Sequence, residues 1–123
     1  MEDIFPFNVT YNQDALLDDF PWQLYHISAV FDIPELDTYK QLSDKYSQVD
    51  WRISFVDVTA LTMEERAPEL LDHVEFDGEG YLLDMYLDSD TALRTFIAVI
   101  CPIFQQLPLL EEYMQRVANR KKY

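Results

Sequence analysis

A chain of 123 residues that is 49% hydrophobic and 15% aromatic has the length and the apolar content to bury a core as one domain over residues 1–123, and that composition argues against native disorder. Acids outnumber bases 23 to 9, for a formal net charge of −14, a balance that nucleic-acid phosphates and anionic membranes repel and that a basic protein partner suits. Cys101 is the one cysteine, too few for an intramolecular disulfide framework or a zinc ribbon.

The opening residues, through Glu2, Asp3 and Ile4, carry acids where a secretory signal carries Lys or Arg. No apolar run approaches the roughly 20 residues of a membrane span. Both point to a cytoplasmic protein. The charge is uneven. The first 93 residues hold 21 of the acids against 4 bases, and the last 30 hold 2 against 5.

Residues 4–11 are rich in aromatic and β-branched side chains and read as a strand, with Pro6 favouring an edge. Residues 12–21 are a polar connection carrying Asp14, Asp18 and Asp19. Residues 22–30 read as a second strand whose two faces are both fairly apolar, which predicts a central place in the sheet. Pro34 can open a short helix through Leu36, Tyr39, Leu42 and Tyr46.

Residues 50–71 carry two competing patterns. Trp51, Phe55, Val58 and Thr62 share one helical face and Ile53, Val56, Ala60 and Met63 the next, yet residues 51–58 also read as a strand by β-branched content. Helix is the preferred reading, with Pro68 marking a break or a new first turn.

Residues 74–76 and 81–87, joined through Asp77, Gly78, Glu79 and Gly80, read as a β-hairpin. Alternation puts Tyr81, Leu83, Met85 and Leu87 on a core face and Leu82, Asp84, Tyr86 and Asp88 on a half-polar one. Asp88, Ser89 and Asp90 can cap a helix whose buried face runs through Leu93, Phe96, Ile97, Ile100, Cys101 and Phe104. Pro102 should kink it or mark its last turn. Pro108 can open a final helix with Leu110, Tyr113, Met114 and Val117 inward. Arg116, Arg120, Lys121 and Lys122 crowd its C-terminal end, where cations favour the helix dipole. This order predicts an α+β fold, an antiparallel sheet with helices packed on one face.

The chemistry-bearing residues give no catalytic signature. His26 lies in an apolar strand and reads as a core or half-buried histidine, and His73 as a surface residue. No serine or cysteine sits in a nucleophile elbow, and Cys101 reads as a small buried hydrophobe. Asp72, Glu75, Asp77, Glu79, Asp84, Asp88 and Asp90 crowd the hairpin. Counted from Asp72, a calcium loop needs Gly at its sixth position and Glu at its twelfth, where the chain has Asp77 and Leu83. No metal and no cofactor is therefore expected. A paired-carboxylate hydrolase needs a larger cleft than a chain of this size usually offers.

The acids then act collectively, either as a solvated surface or as one complementary to a basic partner. Tyr86 between Asp84 and Asp88, Trp22 after Asp18 and Asp19, and Trp51 after Asp50 suit anchors in an acidic setting. The contact surface expected on this basis is Asp18, Asp19, Trp22, Asp77, Glu79, Asp84, Tyr86 and Asp88.

Residues 68–104 resemble the immunity-protein-51 family of bacterial polymorphic-toxin systems. The resemblance rests on the lead-in Pro68, Glu69 and Leu70, on Phe76 and Asp77 before a turn with Gly78 and Gly80, on the exposed strand that follows, and on an acid-capped helix with Leu93 and Phe96 buried. Trp51 after Asp50 matches an aromatic pair ahead of the middle helix, which extends the likeness over residues 50–104. It implies a small cytoplasmic protein that binds a cognate toxin domain, such as a nuclease, and blocks it without catalysis. Contact residues in such families differ with the toxin, so none is carried over. The alternatives are a general acidic adaptor for a basic protein and a small hydrolase using Cys101 or an acid pair.

Overall fold

The computed structural model describes residues 4–13, 21–48 and 51–121. Asp18 and Asp19 lie outside them. Four antiparallel strands form one sheet in the order β1-β2-β4-β3: β1 is Asn8–Tyr11, β2 Tyr25–Val30, β3 Val74–Asp77 and β4 Leu82–Leu87. Between β2 and β3 come α1 (Asp37–Tyr46) and α2 (Phe55–Arg66), and after β4 come α3 (Asp90–Thr95), α4 (Cys101–Phe104) and α5 (Leu107–Lys121). This is the expected α+β architecture, with β2 central and β1 at an edge.

Both early strands are shorter than expected. Residues 4–7 stand outside β1, and Pro21–Gln23 form a 3-10 turn ahead of β2. Trp22 therefore sits in that turn, not on a strand. The turn lies against β4 and β3.

The sheet buries one face. Ile27 and Ala29 of β2 and Leu83, Met85 and Leu87 of β4 have no more than 1% of their surface exposed. Above them Phe31 stacks on Phe55, with ring centroids 3.8 Å apart. Phe7 meets Phe96 and Phe104 edge-on.

α2 resolves the ambiguity of residues 50–71. Ile53 is buried just ahead of the helix, and Trp51 pairs with Gln48 in an isolated bridge, so the helix begins later than its apolar pattern suggests. Ser54 is its N-cap, accepting the Val56 amide. Val58, Thr59, Leu61, Thr62 and Met63 are all buried because α2 packs on β4 and also on α5. The Thr59 and Thr62 hydroxyls donate to the Phe55 and Thr59 carbonyls, so burying them leaves no hydroxyl unsatisfied. Enclosure on several sides leaves α2 only a narrow solvent side through Asp57 and Glu64, and its β-branched residues imitate a strand.

The third helical run also follows expectation with a change. Ser89 accepts the Ala92 amide and starts α3. Ahead of Pro102 the chain widens into a π-helical stretch, Phe96–Ile100, where the Cys101 amide donates to the Phe96 carbonyl five residues back. Pro102 has no N–H to give and its ring crowds the carbonyl four residues back. The wider turn accommodates it, and the helix ends at Phe104, so Pro102 lies in its last turn as expected. Cys101 is fully buried. No single helix among the described residues is long and apolar enough to cross a membrane.

The hairpin turn holds both of its glycines at positive φ, and Gly78 is the more constrained. Gly78 has φ of +102°, and a Cβ there would lie 2.5 Å from the Leu82 carbonyl oxygen. Gly78→Ala should therefore lower stability by about 1–3 kcal/mol through backbone strain, read as a drop in the urea midpoint. An unchanged midpoint would mean that the turn relaxes freely. Gly80, at φ of +59°, has only the flexible Arg52 side chain near it, so a side chain there meets backbone strain without a clash.

Candidate partner-binding face

The helices cover the Ile27 and Met85 face of the sheet and leave the other face open. Its composition follows from register. Thr10 pairs with His26, His26 with Tyr86, and Tyr86 with Glu75. Asn8 pairs with Ser28, Ser28 with Asp84, and Asp84 with Asp77. Val30 and Leu82 form the next pair, each 41% exposed. Each of these rows sits on one face because side chains alternate along a strand.

The centre of the face is aromatic. The His26 and Tyr86 rings stack at 4.8 Å with an interplanar angle of 18°, and His26 Nε2 donates to Asp84 Oδ1 at 2.8 Å. The His26 and Asp84 side chains are 34% and 22% exposed. His26 is therefore half-buried, as expected, but in a polar setting. At the end of β4, Asp88 accepts from His73 Nδ1 at 2.9 Å. The alternation carries this pair to the same side of the sheet. Both histidines of the chain thus answer carboxylates of the hairpin.

Lys and Arg are used elsewhere. Asp44 holds Arg52 at 2.6 Å and Lys40 at 3.3 Å and accepts from the Tyr81 hydroxyl. Lys45 pairs with Glu111 at 2.6 Å, Arg116 with Glu65, and Arg120 with Glu64 at 3.9 Å. These contacts tie α1, α2, α5 and the hairpin turn to one another. Among the described residues none joins Lys or Arg to Glu75, Asp77, Glu79, Asp84 or Asp88. Asp77 and Asp84 face each other directly across β3 and β4, an arrangement of like charges that costs stability.

The Tyr81 hydroxyl, followed by Arg52 and Lys40, holds the Asp44 carboxyl below its ordinary range. Arg116 and Lys45 do the same for Glu65 and Glu111. The stabilisation from these groups is present at neutral pH and is lost as pH falls through the lowered values. His73 has the opposite sign. The hydrogen bond and charge of Asp88 raise its imidazole above the ordinary value. Its contribution is complete below the ordinary imidazole range and disappears as pH rises through the raised value. In an NMR titration the His73 midpoint should be higher than in the Asp88→Asn variant; equal midpoints would refute the coupling.

The expected contact residues divide. Asp77, Asp84 and Tyr86 come together at the middle of the open face, and Asp88 lies at its end. Trp22 is 44% exposed in the turn against β4 and β3. Glu79 turns away from the sheet and lines a shallow groove with Trp51, Arg52 and Asp57. Glu75, Val30 and Leu82 belong to the face but were not among the expected contacts. Alternation back from Asp77 would have added Glu75, and along β4 it already sets Leu82 beside Asp84; Val30 requires the β2–β4 pairing, which joins residues 58 apart at His26 and Asp84.

Among the described residues no group of three or more His, Cys, Asp or Glu is placed to hold a metal ion. No family model, no curated protein and no solved structure matches the chain.

Proposed function

We propose that the chain is an immunity protein that binds a cognate bacterial toxin domain in the cytoplasm of the producing cell and neutralises it by direct contact through the open face of the sheet. The observation that carries this reading is the placement of Glu75, Asp77, Asp84 and Asp88, without a Lys or Arg partner among the described residues, around a stacked aromatic pair and an exposed Val30–Leu82 pair. A second copy of the same face would bring like charges together, so the face favours a basic surface over self-association. Nuclease toxins have basic substrate clefts, which an acidic face can occupy as nucleic acid would. The resemblance of residues 50–104 to an immunity-protein family supports the same reading. In it the chain acts by occupancy and performs no reaction.

The test is a growth rescue. The domain encoded immediately upstream is expressed inducibly with and without this protein, and viable cells are counted. Rescue together with co-purification of a stable complex supports the proposal. Toxicity that persists beside soluble protein, or an upstream product with no toxicity, refutes it and leaves an acidic adaptor for another basic protein.

A further inference from the structure

The partner chemistry can be narrowed from the geometry of the aromatic pair. His26 and Tyr86 are neighbours on adjacent strands, and their ring separation of 4.8 Å equals the spacing between strands. The rings therefore stand upright on the sheet with their planes across the inter-strand direction. His26 covers one side of the Tyr86 ring. The other side is turned toward β3, where Glu75 is the cross-strand neighbour of Tyr86. Glu75 is exposed, and Asp77 and Asp84 form the adjacent row.

We infer that this ledge is an arginine slot, in which a guanidinium of the partner stacks on the β3-facing side of the half-buried Tyr86 ring and pairs with Glu75, with Asp77 and Asp84 completing the negative surround. Arginine suits it better than lysine for two reasons. A planar guanidinium stacks on an aromatic face, and it presents a fork of donors that a carboxylate accepts in pairs. An ammonium ion is a more strongly hydrated point charge and gains less from the ring.

This inference rests on the reading that the open face meets a basic partner, but its test needs no toxin. The full chain, labelled for NMR, is titrated with acetyl-Gly-Arg-Gly-amide and separately with acetyl-Gly-Lys-Gly-amide. Shifts centred on Tyr86, His26 and Glu75, with the arginine peptide binding several-fold more tightly, are expected. Tyr86→Leu should weaken that binding about five-fold and Tyr86→Phe should leave it. Glu75→Gln, an exposed substitution that should not disturb folding, should weaken it about threefold. Equal affinity for the two peptides, no shifts at the ledge, or full binding by Glu75→Gln and by a folded Tyr86→Leu protein would overturn the slot. A protein that rescues growth without distinguishing the peptides loses only the slot. One that distinguishes them but rescues nothing keeps the slot and loses the toxin.

Discussion

Phe55→Ala is expected to lower the free energy of unfolding by about 3–5 kcal/mol. Phe55 is the first residue of α2, fully buried, and its ring stacks on Phe31 at 3.8 Å with an interplanar angle of 14°. Its amide also donates to the Gly80 carbonyl at 3.2 Å, so the side chain and backbone together dock the helix start onto the hairpin turn. Truncation removes an aromatic pair and leaves a cavity that the rigid sheet below cannot close. Phe55→Leu, which keeps most of the volume, should cost markedly less. Urea titrations of both variants check this. A loss under about 1 kcal/mol for the alanine variant would show that the core repacks around the gap.

The second large effect is on binding. Replacing Asp77 and Asp84 together by lysine should reduce affinity for the cognate toxin domain about 100-fold, with little change in the thermal midpoint. The reversed charges meet a basic partner at the centre of the face, and about 3 kcal/mol for two such reversals corresponds to that factor. Stability is spared because one pair of opposed like charges replaces another across β3 and β4. The His26–Asp84 hydrogen bond is lost, but both groups are partly solvated and water can replace it. Most of the loss should lie in the association rate and shrink as salt rises from about 50 to 500 mM, because long-range attraction is then screened. Glu112→Lys, exposed on α5 away from the sheet, should leave affinity near the parent value. Intact affinity in the double variant, or an equal loss in Glu112→Lys, would place the interface elsewhere.

Much of this molecule is legible one segment at a time. The hairpin shows itself by strict alternation around two glycines, and of its expected inner set Leu83, Met85 and Leu87 are buried while Tyr81 is half-buried with its hydroxyl on Asp44. The Ser89 cap and the inward Leu110, Tyr113, Met114 and Val117 of α5 follow from local rules in the same way. α2 is harder to read because its environment is apolar on more than one side, so the pattern that separates helix from strand is blurred. The start of β2 is misread for a related reason. Apolar residues continue through Trp22, but the chain is still turning there, and hydrophobicity does not record where strand pairing begins.

The candidate face shows where local reading ends. Composition by itself determined that the protein is strongly acidic and concentrates its charge ahead of residue 94. Periodicity determined that β4 presents Asp84 and Tyr86 on the side opposite its core residues. Only the tertiary structure decided that the described helices leave this side uncovered, that His26 of β2 stacks on Tyr86 and reaches Asp84, and that Glu75 joins them while Glu79 does not. The physical reason is range. Alternation and capping act between residues a few positions apart, where the chain geometry fixes the outcome. Strand order and the pairing of cations with acids are set by the packing of the whole core. That packing brought Lys and Arg to Asp44, Glu64, Glu65 and Glu111, while among the described residues Asp84 and Asp88 pair with histidines and not with Lys or Arg.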